Sequence, residues 1–167
     1  FNLQALNEFK QLECPIYFVT GNHEYYIKNS SEFIQTLHNF NIQHISNSNK
    51  LFDDINLIGV DDNLSKESQT EIIYKKINDD HFNLLLIHKP SVWVNIKEKI
   101  DLMLSGHTHN GQIFPFNLFV RLQFKFKYGL YNFKNNLLYV SSGSGPWGPK
   151  LRLGTRNEVI LFNLNKK

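Results

Sequence analysis

Two histidines stand one residue apart in the segment SGHTHNGQIFP, residues 105–115. His107 and His109 follow an apolar run and are bordered by glycine and asparagine, a composition typical of a turn. Neutral imidazole nitrogens are good ligands for zinc, manganese and iron. The pair therefore predicts a metal site, provided that other parts of the chain supply further ligands.

Two other apolar runs end in side chains of the same kind. Asn22 and His23 follow IYFVT, and His88 ends NLLLIH. In an open α/β sheet, functional groups gather beyond the carboxyl ends of the strands. We therefore expect Asn22, His88, His107 and His109 to lie at one edge of the sheet, where an amide oxygen and imidazoles suit zinc, manganese or iron. Gly21 and Gly106 are expected to let the backbone turn sharply there.

Each cluster also has a simpler interpretation when it is taken alone. The GNH segment could be a plain turn, His88 could bond to backbone, and the HxH pair could be solvated. All three would then have to reach the same edge by coincidence, which favours the metal site. His38, His44 and His81 lack this context and are interpreted as surface or packing residues.

The spacing of apolar residues predicts the elements that position these side chains. Helical periodicity occurs at 1–12, 32–40, 65–78 and 92–100, and apolar strands are predicted at 16–20, 55–60, 82–88 and 101–107. Helices that alternate with nearly continuous apolar strands indicate an α/β fold with a sheet covered on both faces. The last third, with LLYVSSGSG and EVILFNL, predicts additional antiparallel strands. Asp53 and Asp54 are predicted to form a hairpin turn.

Composition narrows the class of protein. The 167 residues, 41% of them hydrophobic, are enough for one folded domain with a core. A formal charge of +3 with basic residues along the chain gives no reason to invoke nucleic acid. The single cysteine, Cys14, cannot form an internal disulfide and is expected to be buried. No run approaches the length of a membrane span, and because the chain opens with phenylalanine we expect it to be part of a longer protein.

The segments GNHEYY, LLIHKP and SGHTHNGQ together resemble the calcineurin-like metallophosphoesterase superfamily. Its motifs run in the order D-x-H, G-D-x-x-D, G-N-H-[DE], H and G-H-x-H, and the last three stand here in that order. The continuation GQIFPF and the later SSGSGPWGPKLRLG are most similar to a bacterial, often membrane-associated branch. The resemblance runs from about residue 14 to 162. It implies one truncated domain over 1–167, a four-layer α-β-β-α sandwich with its N-terminal strands missing.

The resemblance also implies roles for individual residues. Asn22, His88 and His107 would bind one of two divalent metal ions (manganese, zinc or iron), and His109 would reach the other. His23 would lie over the phosphate, and Glu24 would orient it. Two metals would activate a water for attack on a phosphoester, and a histidine would assist the leaving oxygen.

Two of the family's motifs are missing. No aspartate precedes Gly21, so neither D-x-H nor G-D-x-x-D is present. Asp61 and Asp62 follow GNHE at the wrong spacing and are interpreted as a strand-end loop. The chain alone is therefore expected to bind at most one metal well and to be inactive. We also expect it to expose an unpaired sheet edge, which favours aggregation.

The segment 113–131 is dense in phenylalanine and leucine with interspersed basic residues. One interpretation is a membrane-contacting or lipid-binding lip beside the metal site. The other is core packing followed by an edge strand with protective lysines. Trp147, in the Gly- and Ser-rich stretch 141–150, is expected either to line a substrate pocket or to pack in the core.

Three functions remain open from the sequence. The first is hydrolysis of a phosphodiester or pyrophosphate bond, with a phospholipid or other lipid-linked molecule as one substrate class. The second is a nuclease or nucleotide phosphodiesterase of the same superfamily, although no concentrated basic groove is evident. The third is a non-catalytic metal-binding or interaction module.

Overall fold

The computed structural model describes residues 3–165 and has a mixed α/β architecture, as the sequence predicts. Two sheets are present among these residues, one of six strands and one of two. The strands are β1 (Ile16–Phe18), β2 (Ile42–His44), β3 (Ser48–Phe52), β4 (Ile55–Val60), β5 (Phe82–Ile87), β6 (Leu102–Ser105), β7 (Gly129–Phe133) and β8 (Asn136–Val140). The larger sheet has the order β3-β4-β5-β6-β8-β7.

The centre of the larger sheet is parallel and its two edges are antiparallel. Strands β4, β5, β6 and β8 run in one direction, whereas β3 and β7 pair antiparallel with β4 and β8. Asp53 and Asp54 join β3 to β4, which confirms the predicted hairpin. Because the central strands are parallel, β5 and β6 deliver the residues after them to the same edge.

Helices connect the strands of the parallel sheet and cover it. The α-helices are α1 (Ser30–Thr36), α2 (Lys66–Lys76), α3 (Trp93–Ile96) and α4 (Phe116–Gln123). Short 3-10 helices occupy Leu3–Gln11, Glu24–Tyr26, Leu37–Phe40, Pro90–Val92 and His109–Gly111. Helix α2 begins where the side chain of Ser65 accepts a hydrogen bond from the backbone N–H of Ser68.

The main core lies between the larger sheet and helices α2 and α3. On this face the strand side chains are fully buried, whereas Leu84, Leu86 and Leu104 on the opposite face are only half-buried, so the expected cover on both faces is not seen among the described residues. The cluster consists of Ile58, Val60, Ile73, Leu85, Ile87, Val92, Trp93, Ile96, Ile100, Met103, Leu138 and Val140. This packing fixes the height at which β5 and β6 end, and therefore the position of the residues that follow them.

The smaller sheet has a separate, smaller core. Strand β1 pairs in parallel with β2, with Ile16 opposite Ile42, and Leu37 and Phe40 are buried behind them. The sheet meets the larger one through the turn after β2, where Gly59 of β4 forms a bridge with Ser46. This connection brings the end of β1 towards the ends of β4 and β5.

Several elements differ from the sequence predictions. The N-terminal helix is a 3-10 helix over Leu3–Gln11 with no fully buried residue, and residues 1 and 2 of the prediction lie outside the described range. Cys14 is exposed rather than buried, because it lies in the connection between that helix and β1. Segment 113–131 contains the helix α4 before the edge strand β7, and periodicity alone did not distinguish the two.

The predicted strand EVILFNL does not form. Residues 158–164 pair with no strand of the described chain, although Ile160 and Phe162 are half-buried and Val159 and Leu161 are exposed. The alternation is that of a strand, but a strand also needs a neighbour for its backbone hydrogen bonds. Separately, none of the helices between residues 3 and 165 is long and apolar enough to cross a membrane.

Candidate metal centre

Three strands converge on the site that the sequence predicts. His88 follows β5 and His107 follows β6, while Asn22 comes four residues after the end of β1. The N–H of Gly106 donates to the carbonyl of His88 at 3.0 Å, which ties the two strand ends together. The backbone therefore sets the two imidazoles side by side before any side-chain contact is made.

The side chains of Asn22, His88 and His107 meet at one point. The Oδ1 of Asn22 lies 2.8 Å from Nε2 of His88 and 3.1 Å from Nδ1 of His107. The two ring nitrogens are 3.0 Å apart, with the rings edge to face. The three atoms thus form a triangle of two nitrogens and one oxygen, all from different elements.

Hydrogen bonds alone cannot satisfy this triangle. The Asn22 oxygen carries no proton, and each neutral imidazole carries one N–H, so at most two protons are available for the three contacts. At least one contact therefore has no hydrogen bond. Two nitrogen ligands about 2.1 Å from one metal ion would be about 3.0 Å apart in octahedral coordination and about 3.4 Å apart in tetrahedral coordination. The donor set and its spacing therefore fit a divalent transition metal. The triangle contains only two histidines, and no group of three or more His, Cys, Asp or Glu side chains within 3–165 is placed to hold a metal ion.

The two imidazoles are neutral at ordinary pH. Burial, followed by the nearby charge of His107, lowers the pKa of His88 to about 3. Burial and the ammonium group of Lys89 lower the pKa of His107 to about 4. A metal competes with protons for a histidine nitrogen, so both side chains are in the form that a metal requires.

His109 lies beside the triangle but is not part of it. Its Nδ1 is buried without a hydrogen-bond partner among the described residues. Burial and the guanidinium of Arg152 lower the pKa of His109, against an opposing backbone contact with Gly145. An orphaned, neutral ring nitrogen fits the role of a ligand to a second ion.

The turn that carries these histidines has an unusual backbone. His107, His109 and Asn110 all have positive φ angles, of 71°, 49° and 54°. Non-glycine residues seldom adopt this region, and such strain is concentrated at functional sites. The buried hydroxyl of Thr108 helps to hold the turn by donating to the carbonyl of Lys127.

The glycines contribute in a way that the sequence did not indicate. Neither Gly21 nor Gly106 has a positive φ, so the turns beside them do not depend on a backbone conformation that favours glycine. A Cβ on Gly21 would lie 2.8 Å from Nδ1 of His88, so a side chain at this position would displace the imidazole. Gly21 is required for close approach, and Gly106 has open space around it.

His23 and Glu24 occupy the turn after β1. His23 is exposed, and its ring stacks edge to face with Tyr26 at 5.5 Å. The carboxylate of Glu24 accepts a hydrogen bond from the backbone N–H of Gly21 at 2.6 Å. The predicted contact between Glu24 and His23 is not among the hydrogen bonds of the described part of the chain, so Glu24 fixes the turn rather than the ring.

The acidic pair after β4 is adjacent to the site but does not enter the triangle. Asp62 is buried and accepts from Lys89 at 2.8 Å, next to His88. Asp61 accepts from the hydroxyls of Thr20 and Tyr25 at 3.0 Å and 2.5 Å. These contacts tie β4 to the end of β1 and agree with the interpretation of a strand-end loop.

Two residues that the sequence gave no reason to select build the wall of the site. Gln112 is buried, and its amide exchanges hydrogen bonds with the backbone N–H and carbonyl of Trp147 at 2.5 Å and 2.6 Å. Arg152 donates to the carbonyls of His109, Ser142 and Gly145 at 3.1, 2.7 and 2.7 Å. Their partners lie about ten to forty residues away, so no local pattern marks them.

The histidines stand where two cavities of different character meet. One, of about 670 Å³, is lined mostly by apolar side chains that include Ile113, Val120 and Phe124. The other, of about 490 Å³, is lined by Glu24, His88 and the loop 141–148. His23, His107, His109 and Trp147 line both cavities. Trp147 is half exposed, so its expected role in a pocket wall agrees better with its position than burial in the core does.

Comparison with known proteins agrees with this arrangement. The family model for calcineurin-like phosphoesterases matches residues 1–111. The chain therefore belongs to the calcineurin-like phosphoesterase family, whose members use divalent metal ions to hydrolyse phosphoesters. No solved structure gives a significant match.

Curated relatives are similar to nearly the whole of this chain. An uncharacterized metallophosphoesterase of Helicobacter pylori is 38% identical over 99% of this chain and 46% of its own length. One from Campylobacter jejuni is 37% identical, again over 99% and 46%. A transmembrane protein with a metallophosphoesterase domain from Bos taurus is 37% identical over 89% of this chain and 38% of its own. The chain spans less than half the length of these relatives.

Proposed function

We propose that this chain forms the histidine-bearing part of a metal-dependent phosphoesterase that cleaves a phosphodiester or pyrophosphate bond in a lipid-linked substrate. One observation carries the proposal: the triangle of Asn22, His88 and His107 lies at the junction of a polar and an apolar cavity. The polar cavity suits a phosphate group, and the apolar cavity suits a hydrocarbon portion of the same molecule.

The residues would divide the work as follows. Asn22, His88 and His107 would hold one divalent ion, and the free Nδ1 of His109 would face a second. Such ions supply a water of lowered pKa and neutralise phosphate charge. Manganese, zinc and iron all accept this set of nitrogen and oxygen donors.

His23 is the side chain placed to act on the leaving group. It is exposed at the junction of the cavities and is not engaged in the triangle, so its ring N–H is available to a phosphoryl or leaving oxygen. Glu24 holds the turn that presents it by accepting from Gly21. The ring of Tyr26 restricts its orientation from the other side.

The apolar cavity supports the choice of a lipid-linked substrate over a nucleic acid. A volume of about 670 Å³ is of the size that binds small organic molecules. Its apolar wall gives nothing to a sugar–phosphate backbone, whose binding depends on phosphate contacts with basic side chains. Acyl or prenyl chains would instead gain free energy by leaving water there.

The test is hydrolysis of bis(p-nitrophenyl) phosphate with added manganese. The intact protein should be active, and its His107→Ala variant should lose at least about 100-fold in kcat/KM, because the triangle would lack a ligand. His38→Ala, an exposed histidine on the 3-10 helix after α1, is the matched control and should retain activity. Equal rates for the His107 and His38 variants would contradict the role given to His107, and an inactive intact protein would favour a non-catalytic metal-binding module.

A further inference from the structure

Helix α4 presents an apolar face to the surrounding medium. Val120 is buried against Gly111. A Cβ added to Gly111 would lie 3.3 Å from the Cβ of Val120. On the opposite side, Phe119 is 63% and Leu122 is 86% exposed. A helix surface that faces water normally carries polar side chains, so this apolar surface is expected to contact another molecule.

Neighbouring residues extend the face into a larger patch. The backbone N–H of Phe114 donates to the carbonyl of Leu153 at 2.8 Å, and this brings a second loop alongside the start of α4. We define the apolar lip by its exposed members: Phe114, Phe116, Leu118, Phe119, Leu122 and Leu153. Single exposed apolar residues are ordinary, but six of them on one short helix and the loop bonded to it mark an interaction surface.

All charged side chains of the segment that contains the lip are positive. Residues 102–157 contain seven lysines and arginines and no aspartate or glutamate, while the rest of the chain holds eleven basic and fifteen acidic residues. Lys125 and Lys150, which follow α4 and the Trp147 loop, are exposed. Basic residues beside exposed phenylalanine and leucine are typical of helices that lie in the interface of an anionic membrane.

The inner side of the lip is also the wall of the apolar cavity. Phe116, Val120 and Phe124 line that cavity opposite His107 and His109, and the rings of Phe124 and His107 are 5.7 Å apart. A surface that meets a bilayer at α4 would therefore bring the cavity, and the histidines behind it, to the depth of lipid headgroups.

We propose that the apolar lip docks on the surface of an anionic phospholipid membrane. Phenylalanine and leucine side chains of α4 enter the boundary between headgroups and acyl chains, and Lys125 and Lys150 contact the headgroups. The docking itself does not depend on the proposed function. Its consequence, that a lipid-linked phosphoester reaches the histidines directly from the membrane, rests on that function.

The experiment is cosedimentation of the intact protein with vesicles. The protein should bind vesicles of phosphatidylcholine with phosphatidylglycerol more tightly than vesicles of phosphatidylcholine alone. The double variant Phe119→Ser with Leu122→Ser should bind at least about tenfold more weakly, since two buried apolar contacts are lost. Leu12→Ser with Leu51→Ser, two exposed leucines outside the lip, is the matched control and should bind like the unaltered protein.

A labelling measurement identifies what covers the lip. In a Cys14→Ser background, Phe119→Cys should react quickly with a maleimide in the absence of lipid and slowly with anionic vesicles present. Failure of the unaltered protein to bind vesicles, or equal binding by the lip and control variants, would overturn the proposal. So would a Phe119→Cys thiol that is unreactive without lipid, because another part of the protein or a second copy would then occupy the lip.

Different variants test the two proposals, so the experiments can contradict either one without the other. Phe119 and Leu122 do not line either cavity, so their double variant should hydrolyse the water-soluble bis(p-nitrophenyl) phosphate normally. His107→Ala should lose hydrolysis and keep vesicle binding. Loss of both properties in the lip variant, with a cooperative melt retained, would contradict docking as an independent role of the lip.

Discussion

His88 depends on its neighbour Gly21 as much as on its own strand. The imidazole occupies space that a β-carbon on residue 21 would fill, and Asn22 follows immediately to complete the triangle. The carboxylate of Glu24 accepts a hydrogen bond from the N–H of Gly21 and so fixes the turn. One short turn therefore supplies a donor oxygen, room for an imidazole and the anchor that fixes both.

This contact makes Gly21→Ala a test of the triangle that removes no ligand. The added Cβ would lie 2.8 Å from Nδ1 of His88, so the ring must move away from Asn22 and His107. We expect the affinity for manganese or zinc to fall at least about tenfold, the range seen when residues that only orient ligands are changed. Isothermal titration of the intact protein with each metal measures it.

Gly106→Ala is the matched control for this substitution. Nothing lies within 4 Å of the Cβ that it would add, and its φ is not in the left-handed region. Affinity should therefore remain at the level of the unaltered protein. A larger loss for Gly106→Ala than for Gly21→Ala would mean that the crowding at His88 does not set the geometry of the site.

The sequence predicted that Asn22, His88 and His107 lie together because each follows an apolar strand, although β1, which precedes Asn22, belongs to the smaller sheet and not to the edge where β5 and β6 end. It could not show that Glu24 bonds to backbone, or that His107 and His109 have positive φ. Those features depend on how the turns pack against one another. Motif spacing records which residues are present and leaves their rotamers and backbone angles open.

At the scale of elements, the loop 144–149 is held beside the histidines by the buried amide of Gln112 and by Arg152, which donates to the carbonyl of Gly145. Gln112 donates to the carbonyl of Trp147 and accepts from its N–H, and also donates to Pro149 at 3.2 Å. Because Gln112 follows the histidine turn directly, the loop and the turn are fixed relative to each other. The wall shared by the two cavities depends on this contact.

Gln112→Leu should loosen that wall without unfolding the domain. Loss of a two-sided hydrogen bond from a buried amide is expected to lower the free energy of unfolding by about 1 kcal/mol. Amide hydrogen exchange in 144–149 should accelerate, while exchange in β5 and β6 should not change. Gln35→Leu, an exposed position in α1, controls for the loss of a polar side chain. Unaltered exchange in 144–149 would contradict the role of Gln112.

Most strands were predictable because each is an apolar run with a defined end. Residues Ile55–Val60 form β4 as predicted, since Asp61 stops the run and the hairpin turn starts it. The helix α4 was missed because IFPFNLFVRLQFKF was interpreted from its density of phenylalanine and leucine, although Phe116–Gln123 are amphipathic at the helical period. Only its packing through Val120 shows which face is inside.

At the scale of the whole molecule, two segments have few or no strand partners. Among the described residues, β1 pairs only with β2, and 158–164 pair with no strand. The extended segment still lies against the protein, with Phe162 edge to face on Tyr139 at 5.4 Å and Glu158 accepting from Ser142 at 2.7 Å. The sequence pattern of EVILFNL correctly indicated its alternation, but pairing is a property of the neighbour and cannot be read from the strand itself.

The final prediction concerns the association of this chain when it is produced alone. Val159 and Leu161 are 91% and 85% exposed on an extended backbone, and such a segment can pair with another copy. We expect residues 1–167 to form concentration-dependent oligomers, detected by light scattering.

Val159→Lys with Leu161→Lys should suppress these oligomers because lysines on an exposed edge oppose pairing. Leu12→Lys with Val94→Lys adds the same charge at exposed positions outside any strand and should leave association unchanged. If the unaltered chain stayed monomeric as its concentration rose, the open edge would have to be protected by its twist or by Asn157 and Asn163 beside it, and the expected aggregation would be wrong.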